Sequence, residues 1–444
     1  MIDIFEKILL GAVGLFVFQE FASYILNKIF QKAEKKIPSI FGFVKNNYIN
    51  NFYKVKNSED YKKFEYEYLR EYYGDYFFSD TVTGGKIPVF SVSYKNITKA
   101  DSSIRDYDIL GNKENVDFDF SPENHQKYKR NKYYREYHFL VGSKIKAPDR
   151  PGYMLDELIC DKDGKMEQFK GYVGTYAENV YSNHVLEYEL FKLYRKRKKG
   201  YRYLIKKSRI RNAMHKSVCG KDEVQEYFDS MRKSLCRGEG RDSLLSVQML
   251  VLIKNDDNYD IKIIQRSKEV AVAPERFQLV PSGGFEILND SVSGYSKYEV
   301  EDNYSAGCAV FREYLEEIFG IEEFEGRGVG SVNEALMKDF RIQKINQLIK
   351  EGKADFSFLG SVIDLAGLRH ELSFVLVIYD DEYNNQNQFM GNEECKNRNF
   401  ISGVTLKNFE KRDDIWENLH GPSAAMWMLF KNSEIYKKLV EDID

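Results

Sequence analysis

The sequence predicts an α/β protein in three parts: an N-terminal transmembrane helix, a mixed α+β middle region and a C-terminal α/β domain. Three observations carry that reading. Residues 8–26 are the most apolar run in the chain. Residues 37–240 mix strand-like and helix-like segments, and residues 244–444 alternate short apolar runs with helical ones. The boundaries fall at 1–36, 37–240 and 244–444. A chain of 444 residues has room for about two or three domains.

The first part opens with Ile8-Leu9-Leu10-Gly11-Ala12-Val13-Gly14-Leu15-Phe16-Val17-Phe18 and continues through Gln19-Glu20 to Leu26. As one helix, residues 8–26 would reach roughly 28 Å, close to the hydrocarbon thickness of a bilayer. Lys28, Lys32, Lys35 and Lys36 follow the run and only Lys7 precedes it. That bias places the N-terminus outside and the rest in the cytoplasm, as a single-pass inner-membrane protein. Ala12, Phe16, Gln19, Ser23 and Asn27 recur at helical spacing and would suit helix–helix contact between copies, hence a homo-oligomer. The alternatives are an interfacial amphipathic helix or a helix packed against the next segment.

In the middle region, Ser58–Tyr73 reads as a charged helix, and Ile87–Tyr94 and Tyr137–Lys144 read as strands. Phe169–Tyr176 reads as a turn leading into an amphipathic helix at Val185–Leu190. Arg195-Lys196-Arg197-Lys198-Lys199 is a basic cluster, read first as a solvated helix end and otherwise as a site for lipid headgroups or polyphosphate. His125, His138, His184 and His215 show no metal-ligand spacing.

In the third part, Leu250–Lys254 and Ile261–Arg266 predict a hairpin across the polar Asn255–Asp260. Phe358–Leu365 and Leu372–Tyr379 predict two more strands, and Ala424–Val440 a closing helix. The richest stretch is Arg312-Glu313-Tyr314-Leu315-Glu316-Glu317-Ile318-Phe319-Gly320. On a helix Glu313, Glu316 and Glu317 stand at i, i+3 and i+4 and share one face. Carboxylates so gathered suit a hard divalent cation such as Mg²⁺ shared with a phosphate, with Arg312 orienting Glu316. The alternative is a solvated acidic helix.

That stretch resembles the Nudix box, and Leu279-Val280-Pro281-Ser282-Gly283-Gly284-Phe285-Glu286 resembles the strand end and Gly-Gly turn that precede it in the family. The resemblance covers residues 244–444 and implies a Nudix-type α/β/α sandwich. It implies Glu313, Glu316 and Glu317 as metal ligands, with Glu313 or Glu317 as the catalytic base of a hydrolase. It also places Arg266, Gly283, Gly284 and Arg312 at the ligand. Three departures stand out. Tyr304 occupies the position of the family's first glutamate, eight residues before Arg312. The loop Phe285–Asn303 is long, with Asp290, Glu299, Glu301 and Asp302 in it, and Phe319 is an extra residue before Gly320.

Two functions follow from this architecture. A Nudix-like domain behind a membrane segment resembles the membrane effectors of bacterial antiphage systems that signal with cyclic oligonucleotides. On that reading the domain binds a nucleotide or cyclic oligonucleotide, and the helices assemble and breach the lipid bilayer. The alternative is a Mg²⁺-dependent pyrophosphohydrolase of a nucleoside diphosphate derivative. Composition bounds both. Lys+Arg 66 against Asp+Glu 69 leaves a net charge of −3, with no global basic excess for bulk nucleic-acid binding. Five scattered cysteines, never in C-x-x-C, fit a reducing compartment without structural zinc.

Overall fold

The computed structural model describes residues 48–443 except 75–77, 80–85, 105–115, 118–133, 139–150, 216–223, 268–274, 289–296, 322–331 and a few single positions. Chain contacts divide it into two compact units, 1–58 and 59–444, and the description below concerns the second.

A six-stranded mixed sheet is the centre of that unit. Its strands run in the order Ser282–Gly284, Ser246–Asn255, Arg369–Ile378, Ala354–Asp364 and Val89–Ser93, with Asn258–Ile261 also paired to Ser246–Asn255. Ser246–Asn255 and Arg369–Ile378 run parallel, and the other neighbours are antiparallel. Alternation along each strand explains the layers. Val247, Met249, Val251 and Ile253, with Leu372, Phe374 and Leu376, face the helices Ala306–Phe319 and Phe340–Lys350 in one core. Leu250, Leu252, Val375 and Val377 face the opposite way, onto Gly421–Lys431 and Glu434–Ile443.

The edge strand Val89–Ser93 comes from the middle region, and one glycine makes its docking feasible. Gly360 lies at φ +141°, and a Cβ there would stand 2.1 Å from the Val92 carbonyl oxygen. A register shift between Phe358 and Gly360 marks the same point. A second sheet, also from the middle region, is built on the hairpin Pro151–Cys160 and Met166–Thr175. Helices Glu59–Tyr73, Val185–Tyr194 and Arg209–Met214 pack with one another beside it.

Several expectations change. Among the described residues no helix is long and apolar enough to cross a membrane. This overturns the fold class with a transmembrane helix at its head; the run 8–26 itself lies outside the described residues. The sequence contains a physical reason: Glu20 sits inside that run, and an acid deep in hydrocarbon costs about 2.5–3.5 kcal/mol. The longest described helix, Glu59–Tyr73, has 15 residues and is densely charged, short of the roughly 20 apolar residues a span needs.

Other differences are local. Residues 261–266 do not form one strand, because Lys262 interrupts them and Ile263–Arg266 joins a separate sheet with Phe277–Leu279 and Cys395–Phe400. Phe169–Thr175 is strand rather than turn. The closing helix breaks in two, and Ser433 Oγ there accepts the Tyr436 amide. Of the strand expected at Tyr137–Lys144, Tyr137 and His138 are helical and 139–144 lie outside the described residues.

Candidate functional site

The site begins with the helix Ala306–Phe319. Ser305 caps its start, its hydroxyl accepting the Cys308 amide at 3.2 Å, and Gly320 ends it in the left-handed conformation at φ +64°. Cys308, Phe311, Leu315 and Ile318 fill the core at helical spacing. The same helix turns Arg312, Glu313, Glu316 and Glu317 toward a cavity of about 200 Å³. The opposite wall is the short strand Ser282–Gly284, held by pairing with Ser246–Gln248.

Glycine lets the acids lie close against that wall. A Cβ on Gly283 would fall 2.0 Å from Cδ of Glu313, and one on Gly284 would lie 2.9 Å from a Glu286 carboxylate oxygen. The backbone therefore passes directly under the acids. Glu317 is fixed by accepting the Ser282 amide at 2.6 Å. Arg312 donates from Nη2 to the Glu286 carbonyl at 3.0 Å, while its Nη1, buried beside the cavity, has no partner among the described residues.

Electrostatics follow from this crowding. Burial, then the charges of Glu316 and Glu317, push the Glu313 carboxyl well above the usual carboxylate range; Arg312 opposes the shift and Glu286 adds to it. A cation among these acids would relieve the repulsion that raises Glu313. Carboxylate oxygens without histidine or cysteine are the donor set of Mg²⁺ rather than zinc. As arranged, however, no group of three His, Cys, Asp or Glu side chains among the described residues forms a metal cluster. Glu313, Glu316 and Glu317 line the cavity without yet coordinating as a set.

Of the residues singled out from sequence, Gly283, Gly284, Arg312, Glu313, Glu316 and Glu317 come together here. Arg266 does not line the cavity. Its amide donates to Arg276, its guanidinium donates to Gln278, and its charge bears on the buried Glu371. The acids Asp290 and Glu299 of the inserted loop lie outside the residues whose side chains are described.

Four lining residues escaped the sequence reading: Ser282, Glu286, Leu288 and Asn392. Glu286 had a signal, since it stands two residues after the Gly-Gly turn. What positions it is distant in sequence. Gly152 bridges Glu286, Tyr153 donates its amide to Phe285, and Ile287 donates to Pro151. Tyr304 explains the missing box acid: it is buried against Tyr153, Phe169 and Phe285, with ring centroids 5.0, 5.8 and 6.0 Å away. An ionised glutamate could not sit there without a partner. Asn392 arrives on a segment tied to the helix end by the Met390 amide and the Ile318 carbonyl, 3.0 Å apart.

No protein-family model matches the chain, and no curated protein matches it. Among solved structures it is similar to a bifunctional NMN adenylyltransferase/ADP ribose pyrophosphatase from Francisella tularensis. That match covers 52% of each chain at 15% identity with a TM-score of 0.24. The chain thus spans about half the length of that protein, and a likeness so distant carries no argument about this site.

Proposed function

We propose that the cavity binds the diphosphate of a nucleoside diphosphate derivative and hydrolyses it with Mg²⁺, in the manner the Nudix-like box implies. The observation that carries this reading is Arg312: a buried guanidinium with one nitrogen unpaired among the described residues, bordering a cavity walled by four glutamates. An unpaired buried donor costs about 1–3 kcal/mol, more when charged, unless a ligand supplies its acceptor. A phosphate oxygen is the acceptor this position fits.

The other residues then have distinct tasks. Glu316 and Glu317 would hold Mg²⁺ with Glu313, and Glu317 is already oriented by the Ser282 amide. The cation, when bound, offsets phosphate charge and lowers the pKa of a water. Glu313, raised by its neighbours, is placed to accept a proton from that water once a cation relieves the repulsion. The Gly283–Gly284 backbone lets the substrate approach without a side chain between. A cavity of about 200 Å³ is below the ~300–1,000 Å³ of drug-sized ligand sites, so it suits a diphosphate with the nucleoside lying outside.

The membrane-effector reading depends on a spanning helix and gains no support among the described residues. The test uses the full-length protein with Mg²⁺ and a panel of ADP-ribose, dinucleoside polyphosphates, nucleotide sugars and cyclic oligonucleotides, measuring binding by calorimetry and products by chromatography. Glu316→Gln with Glu317→Gln should lower turnover by about 100-fold or more. Turnover that survives the double substitution removes the box from the chemistry. Binding without turnover across the panel would leave a nucleotide sensor instead.

A further inference from the structure

From Leu190 to Lys221 the chain contains no aspartate or glutamate. Within it the helix Tyr201–Lys207 packs on Glu59–Tyr73, and the turn Arg197–Lys199 packs on that helix. Leu204 is buried, the Tyr201 ring lies 6.1 Å from Phe64, and the Tyr201 hydroxyl donates to Glu67. That anchored face leaves Lys198, Lys199, Arg202, Lys206 and Lys207 exposed on the other side. Arg197 is neutralised by Asp60 at 2.9 Å, but none of those five has a carboxylate partner among the described residues. In a protein of net charge −3, this is strong local segregation of charge.

Tyr203 stands in the middle of it. It is one of only four large apolar or aromatic side chains exposed among the described residues, with the Lys199 and Lys207 ammonium groups 5.5 and 5.8 Å from its ring centroid. We infer that this face binds single-stranded nucleic acid, the cations tracking phosphates while Tyr203 stacks an unpaired base. Every base has a π-face, so an aromatic among cations binds strands with little sequence preference. A lipid surface fits less well, because an interfacial helix needs a broad apolar face as well as cations. The other exposed members of that group, Tyr176, Phe340 and Met390, lie outside this segment. The inference is independent of the cavity chemistry.

The test is fluorescence anisotropy with full-length protein and a labelled oligouridylate of about 16 nucleotides. Inorganic polyphosphate and phosphatidylserine vesicles serve as the other arms. The oligonucleotide should bind, and affinity should fall steeply between about 50 and 200 mM salt. Lys199→Glu with Lys207→Glu should weaken it by about tenfold or more. Tyr203→Ala should weaken the oligonucleotide about tenfold and leave polyphosphate unchanged. All substituted positions are at the surface, and far-UV circular dichroism would verify the fold. Equal loss of both ligands, no effect of Tyr203→Ala, binding to vesicles alone, or no binding at all would each overturn the proposal.

Discussion

Two regions of this molecule bury an arginine in different surroundings, one among three acceptors and one beside a cavity. Arg211, fully buried, donates to the Tyr73 hydroxyl and to the carbonyls of Leu365 and Ala366 at 2.6–2.7 Å. It ties the helical layer to the turn between Ala354–Asp364 and Arg369–Ile378. Among the described residues Arg312 has the Glu286 carbonyl as acceptor and leaves Nη1 unpaired next to a cavity. Each leaves one nitrogen without a partner among the described residues, Nε of Arg211 and Nη1 of Arg312, but of the two only Arg312 lines the cavity. Buried charge therefore points to function only where the fold leaves it a space and a missing partner.

The largest expected effect breaks the first region. Arg211→Ala should lower the free energy of unfolding by about 3–5 kcal/mol, because three hydrogen bonds to a charged group are lost and two carbonyls are stranded. Urea denaturation measures it, and a change below about 1 kcal/mol would undo the contrast. Arg312→Met should give the mirror image. Stability should move by less than about 1.5 kcal/mol, while kcat/KM for the cleaved substrate should fall about 100-fold, or ~2.7 kcal/mol. Equal losses of stability at both sites would make Arg312 structural too.

A smaller effect sharpens the same comparison through pH. His215 and His370 are buried in the first region; burial, then the charges of Arg211 and Arg241 on His215 and of Arg241 on His370, hold both well below the ordinary histidine value of 6.5. The unfolded chain then binds more protons than the folded one below about pH 6.5, so these histidines make stability fall on acidification. Glu371 has the reverse sign. Burial raises it from 4.5 to about 7, against Arg369, so its folded form holds a proton that the unfolded form releases. Its contribution is present at low pH and is lost as pH rises toward about 7. The two partly cancel, and Glu371→Gln should steepen the acid-side decline in urea midpoint. An unchanged pH slope would show that Glu371 does not titrate in this range.

The smallest effect separates two glycines. Gly283→Ala meets the movable end of Glu313, so it should displace that carboxylate, cut activity about tenfold and cost less than about 1 kcal/mol of stability. Paired thermal melts and kinetics would check it. A large loss of melting temperature would mean that the strand, rather than the acid, gives way.

What the sequence determined by itself was local. The helix Ala306–Phe319 was legible from three carboxylates at i, i+3 and i+4 opposite an apolar stripe, because both periodicities are written within a few turns. The strands around Ser246–Asn255, Ala354–Asp364 and Arg369–Ile378 were legible as apolar runs between polar breaks, and the Gly283–Gly284 turn from its glycines. What only the tertiary structure decided was which distant residues meet. Nothing near Arg266 shows that its side chain is turned to Gln278 instead of the cavity, since a bend at Lys262 carries its strand into another sheet. Glu286 is held by Gly152 across more than a hundred residues, and Asn392 closes the wall from a loop after the last long strand. Tyr304, read as a missing acid, is the centre of an aromatic cluster assembled from three separate segments. Periodicity within an element reports which face is buried, but the partner on that face is chosen by packing among elements far apart in the chain.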